Sequence, residues 1–145
     1  QVALGDLAAA LTSYQASLAI RDRLAKADPG NAGWQRDLSV SHNKIGDVQS
    51  AQGNLPAALT SYQASLAIAD RLAKADPGNA GWQRDLAVSY GRIGSFDVRH
   101  GDRGTGLKAL RQGRDIIVRL MRLSPENAIL PEDLAWFDSQ IGTHT

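Results

Sequence analysis

Cysteine is absent from the 145 residues. Its absence excludes a disulfide framework, a thiolate nucleophile and any cysteine-based zinc site, so stability must come from packing. Surplus charge is nearly absent too. A formal net charge of +1 is too small by itself to argue for nucleic acid or an anionic membrane as partner. No apolar run approaches the roughly 18 residues that a membrane helix needs, and the start carries no signal-like apolar segment. These absences fit a reducing, cytoplasmic setting with no membrane partner. The chain opens on Gln1 instead of methionine, so it reads as an excerpt, and a targeting signal upstream would lie outside it. What is present is ordinary: 43% hydrophobic and 21% charged residues give no sign of disorder, and the length suffices for one domain with a sizeable core.

The positive signal is repetition. The stretch ADPGNAGWQRDL stands at Ala27 to Leu38 and again, unchanged, at Ala75 to Leu86. A shift of 48 residues superimposes 9–40 on 57–88 with only Arg21/Ala69 and Ser39/Ala87 differing. The same shift reaches a diverged third copy, placing Leu59 on Leu107, Ile68 on Ile116, Arg71 on Arg119, Pro77 on Pro125, Asn79 on Asn127, Leu86 on Leu134 and Gly94 on Gly142. A fixed period of this size marks stacked repeats, each burying its apolar face against its neighbours.

Within a copy the apolar spacing is helical. Leu55, Ala58, Leu59, Tyr62, Leu66, Ala69, Leu72 and Ala73 form one stripe, recurring every three or four residues. A second stripe runs through Trp34, Leu38, Ser41, Ile45 and Val48, and its successor through Trp82, Leu86, Ser89, Ile93 and Phe96. Pro29 and Pro77 cannot continue a helix, and Asn31 and Asn79 suit N-caps. QGN at 52–54 and HGD at 100–102 supply a glycine for a left-handed turn and then an Asn or Asp cap. Helices are therefore expected near 6–26, 31–52, 54–74, 79–100, 102–123 and 127–142, the last with Pro131 in its first turn. The short connections predict antiparallel neighbours.

At IGDVQSAQGNLPAALTSYQASLAI, from Ile45 to Ile68, the pattern resembles a tetratricopeptide repeat. The resemblance lies in Ile45-Gly46, the Gly53-Asn54-Leu55 turn, Ala58, Tyr62 and Ser65, and the closing Asp76-Pro77. It covers essentially the whole chain, as one repeat domain over 1–145 with units near 6–52, 54–100 and 102–142. Units of that family are about 34 residues, whereas these have 48. The added length divides into roughly seven residues per helix, close to two turns, so the stripes keep register. The resemblance implies an all-α, right-handed solenoid of antiparallel helix pairs, a protein-interaction scaffold and, by family analogy alone, a place in a larger bacterial-type signalling protein.

Chemistry-bearing patterns are few. Trp34 and Trp82 fit core packing at the far end of a lengthened hairpin, beside Leu24 and Leu72, with ligand stacking as the other reading. Asp37, Asp85 and Asp133 recur, as do Arg23, Arg71 and Arg119, which permits ion pairs between helices. His42, His100 and His144 lack partners at metal-ligand spacing, and no GxSxG elbow surrounds any serine. No catalytic residue, cofactor or metal is assigned, and the chain reads as a non-enzyme. HGDRGTGLKAL at 100–110 imitates a phosphate loop, yet it falls one period after the inter-helix turn QGNLPAALTSY and no strand precedes it. Arg92, Arg99, Arg103, Lys108, Arg111, Arg114, Arg119 and Arg122 make the third copy locally basic; nucleic acid ranks third among the partners, behind protein and self.

In tetratricopeptide repeats the first helix of each pair lines a concave groove for a peptide or helix. Carried onto this chain, that implies Arg36, Val40, Asn43, Lys44 and Asp47 in one unit. Arg84, Val88, Arg92, Ser95 and Arg99 follow in the next, and Glu132, Trp136 and Ser139 in the third. The expected partner segment is mildly apolar and acidic, with Trp136 and the arginines as anchors. The family's carboxylate clamp is not matched, because Asn43 and Asp47 stand where it needs lysine and asparagine. The competing reading is self-assembly, with the open ends of the repeat array stacking head to tail.

Overall fold

A computed structural model of the chain describes residues 4–145. Among them are six helices and no strand: α1 (Leu4–Ala27), α2 (Ala32–Ala51), α3 (Leu55–Ala75), α4 (Ala80–His100), α5 (Arg103–Leu123) and α6 (Ile129–His144). Every helix lies within two residues of its expected span; α1 packs on α2 and α2 meets α3 in the N-terminal unit, while α4 packs on α5 and α5 on α6 in the C-terminal one. No helix of the described residues is long and apolar enough to cross a membrane. The chain divides into an N-terminal compact unit ending at Leu72 and a C-terminal one beginning at Ala73.

The helix starts follow the punctuation. Asn31 and Asn79 take extended backbone, and their side chains accept from the amides of Trp34 and Trp82. Asp102 does the same for Gly104 and Thr105. Each such cap satisfies donors that the first turn leaves without partners and contributes about 1 kcal/mol. The two glycine turns differ. Gly53 adopts the left-handed conformation, φ 79°, and the Asn54 amide closes back onto the Gln49 carbonyl. Gly101, expected to match it, instead lies at φ −127°, ψ −138°. Here α4 runs on through His100, whose ring packs on Phe96 with centroids 5.2 Å apart. The Gly101 amide still bonds Asp97 at i−4, and the chain leaves extended.

In the N-terminal unit, α2 and α3 meet along a face of small residues. The Ser39 hydroxyl bonds both the Ser65 carbonyl, 3.1 Å, and the Ser65 hydroxyl, 2.8 Å. Gly46 lies under the Tyr62 ring: a Cβ there would stand 2.7 Å from a ring carbon. The Tyr62 hydroxyl reaches past it to donate to Asp47, 2.6 Å. Only glycine allows that approach, and Tyr62 is accordingly buried.

The C-terminal unit repeats the device with other residues. Leu110 of α5 sits on Gly94 of α4, and Gly106 admits Val98 and the Gly94 carbonyl. Leu110 and Ile117 are completely buried. α6 docks through Phe137, which lies against Gly113 of α5, where a Cβ would be 2.6 Å from the ring, and against Gly91 of α4 at 3.2 Å. One period earlier, Gly113 is Ser65, Gly91 is Asn43 and Phe137 is Ser89. A large side chain gained on α6 is thus matched by side chains lost on α4 and α5. Burying the Phe137 ring contributes on the order of 3 kcal/mol.

Candidate functional site

The groove residues fall into two sets, each within its own compact unit. In the N-terminal unit, Arg36, Lys44 and Asp47 are exposed and Val40 is half-buried. Asn43 was expected in the groove but is buried. Its helical position, three residues before Gly46 and four after Ser39, turns it inward; one period later the same position is Gly91, which abuts Trp136 and Phe137. The Asn43 Oδ1 atom is enclosed with no hydrogen-bond partner.

In the C-terminal unit three of the expected residues, Val88, Arg92 and Trp136, line one pocket. Between α4 and α6 lies a cavity of about 300 Å³ lined by Val88, Gly91, Arg92, Asp133, Trp136 and Phe137. Trp136 forms an edge-to-face contact with Phe137, centroids 5.0 Å apart. Gly91 lets its ring lie against α4, and even so Trp136 remains 42% exposed. Tryptophan is among the residue types enriched where protein interfaces draw most of their energy.

Asp133, in the pocket wall, is held by Arg84. The guanidinium forms two hydrogen bonds to Asp133, Nε to Oδ2 at 2.8 Å and Nη2 to Oδ1 at 3.1 Å. The Asp133 hydrogen bond, outweighing burial, holds the Arg84 pKa above its ordinary value. The pair fixes α6 to α4 and neutralises a charge that the sequence alone would offer to an acidic partner. Further along α4, Ser95 faces Gln140 at 3.5 Å and Arg99 is exposed; on α6, Glu132 and Ser139 are exposed.

The other sequence candidates are placed as follows. Trp34 is half-buried and shares with Leu24 a second pocket, of about 200 Å³, lined also by Ser17, Ile20, Arg21 and Asp37; Trp82 is half-buried. Leu130, standing in the tryptophan position of the third copy, is buried. Arg71 donates to Gln35 at 3.3 Å, so the recurring arginine and aspartate series do not simply pair with each other. In the basic third copy, Arg114 bonds Asp138 at 2.5 Å and Arg103 donates to the His144 carbonyl at 2.6 Å. At the imitation phosphate loop, the Asp102 carboxylate takes the Gly104 and Thr105 amides, and those bonds hold its pKa below the usual carboxylate value. A phosphate would have to displace a like charge. Among the described residues, no group of three or more His, Asp or Glu is placed to hold a metal ion.

Sequence reasoning missed Phe137, Gly91 and Asp133 as parts of the site. The signal for the first two lay in the divergence between copies: Asn43 becomes Gly91 in the second copy, and Ser65 and Ser89 become Gly113 and Phe137 in the third. Compared with protein-family models, curated proteins and solved structures, the chain finds no match in any of the three.

Proposed function

We propose that this chain is a non-enzymatic protein-interaction module of the tetratricopeptide-repeat kind. It takes an apolar side chain from a partner peptide or helix into the α4/α6 pocket, against Val88 and the exposed face of Trp136. The observation that carries this reading is Trp136 itself: 42% exposed, held edge-on by Phe137 and bordering an open pocket. The 48-residue period, the helix pairs and the small-residue contacts support the repeat assignment.

The Arg84–Asp133 pair changes how the proposal must be tested. Arg84→Ala would strand the Asp133 carboxylate and loosen α6, confusing binding with stability. Trp136→Ala removes the anchor and leaves the Arg84–Asp133 pair in place. A displayed library of short apolar and acidic peptides, selected on the wild-type chain, is expected to yield binders that lose at least tenfold in affinity on Trp136→Ala. The same binders should keep their affinity on Leu123→Ala, another exposed apolar residue. Binders indifferent to Trp136 would remove the pocket as the site.

A further inference from the structure

On the outward face of α5 stand four cations that no ion pair answers. Lys108, Arg111, Arg119 and Arg122 are all exposed. Lys108 and Arg119 are eleven residues apart, as are Arg111 and Arg122, and eleven residues make about three helical turns, so the four share one side of the helix. They form two pairs set about 16 Å apart on a stripe about 21 Å long. Among the described residues none of the four takes part in a hydrogen bond or ion pair, whereas Arg114 and Arg103 of the same helix bond Asp138 and the His144 carbonyl. Asp115, the one acidic residue of α5, is exposed between the two pairs.

The stripe belongs to the third copy. Its places on α3 are held by Thr60, Gln63, Arg71 and Lys74, and these are exposed too, so the face is a solvent face of the repeat in both helices. The first pair is gained, Lys108 and Arg111 standing for neutral Thr60 and Gln63. The second pair has lost an acid. In the first copy Asp22 holds Lys26 at 2.8 Å; in the third the same two places are Val118 and Arg122.

The spacing selects among polyanions. A duplex nucleic acid presents a charge about every 1.7 Å, far denser than four cations along about 21 Å. The six cations and one acid of α5, in a chain of formal charge +1, also leave the rest of the chain net acidic. No aromatic residue stands on α5 for unpaired bases to stack upon. Carboxylates on a polypeptide fit better, and arginine, three of the four, meets them with two parallel hydrogen bonds.

We infer that the outward face of α5 docks an acidic segment of a partner protein, with two carboxylate pairs about 16 Å apart and a neutral or basic residue opposite Asp115. A helical segment needs about fifteen residues to touch both pairs, so shorter peptides engage only one. The α4/α6 pocket takes no residue from α5, and the two surfaces stand or fall separately.

Fluorescence anisotropy at low salt tests this with two synthetic helical peptides of equal length and charge. One carries two glutamate pairs, their members eleven residues apart, with a lysine between the pairs; the other has the same composition with the four glutamates adjoining. The spaced peptide is expected to bind the wild-type chain at least fivefold more tightly than the bunched one, and more weakly as salt rises. Lys108→Gln with Arg111→Gln, and Arg119→Gln with Arg122→Gln, should each lower its affinity at least fivefold, and Asp115→Asn should raise it. Arg71→Gln with Lys74→Gln, in the same places on α3, should leave it unchanged, as should Trp136→Ala. The α5 and α3 side chains replaced are all exposed, so those variants should keep the wild-type circular dichroism. Equal affinity for the two peptides, or α5 variants that bind as wild type does, would overturn the inference. So would a DNA duplex or phosphatidylserine vesicles bound more tightly through the same four residues, which would assign the stripe to nucleic acid or a membrane surface instead.

Discussion

Residues 9–26 of α1 and 57–74 of α3 are the same sequence except at Arg21 and Ala69, yet they live differently. Ile20 is 56% exposed and Leu24 40%, whereas Ile68 and Leu72 are 6% and 9% exposed. Local propensity is equal in the two helices, so it cannot be the cause. α3 has α2 against the face that α1 leaves open, with Gly46 and Ser39 receiving Tyr62 and Ser65. A repeat therefore specifies a helix and a register, and the neighbour decides whether a stripe is core or binding surface.

The largest way to sharpen that contrast is one substitution made twice. Tyr62→Ala is expected to cost about 3–5 kcal/mol, the range for emptying a buried aromatic site. Tyr14→Ala should change stability by less than about 0.5 kcal/mol. Urea denaturation at dilute protein concentration measures both, and equal losses would break the comparison.

Next is the contrast between the second and third copies. Gly113→Ser restores the residue found at Ser65 but drives a side chain into Phe137 and toward the Ala87 carbonyl, 3.0 Å from the added Cβ. A loss of about 1–3 kcal/mol is expected from such overpacking, read by thermal denaturation. A neutral result would mean that the Phe137 slot is not tightly filled.

Smaller again is the pair Gly46→Ala and Gly142→Ala. Helix propensity favours both by up to about 1 kcal/mol. Only the second should show the gain, because Gly46 faces the Tyr62 ring at 2.7 Å and Gly142 faces open space. Melting temperatures moving in opposite directions are expected.

The smallest effect is pH dependence in the N-terminal unit. Burial lowers the His42 pKa, with Asp22 opposing. A histidine harder to protonate when folded leaves stability intact above its unfolded value near 6.5 and reduces it as pH falls below. His42→Gln should flatten the melting temperature between pH 7 and 5, relative to a wild type that declines.

How much of this could be read from the sequence follows from the same logic. The helices, their caps and the Pro131 start were legible because they depend on neighbours a few residues away. The Gly101 conformation was not: α4 runs one residue further than α2 on the shared period, and the chain leaves it extended. Register put Trp136 and Val88 in one expected groove, and both line the α4/α6 pocket. Arg84 was read as an available cation, since Asp37, Asp85 and Asp133 recur alike and spacing does not say which of them faces an arginine. Asn43 was read as a groove residue because its helix face depends on which neighbouring helix lies closest.

Hydrogen exchange resolved by NMR tests the central claim most directly. The near-identity of 9–26 and 57–74 cancels intrinsic exchange chemistry, leaving only the environment. In dilute solution the α3 amides should be protected well beyond their α1 counterparts, because opening α3 exposes buried surface that α1 already shows to water. Equal protection in the two helices would contradict the account.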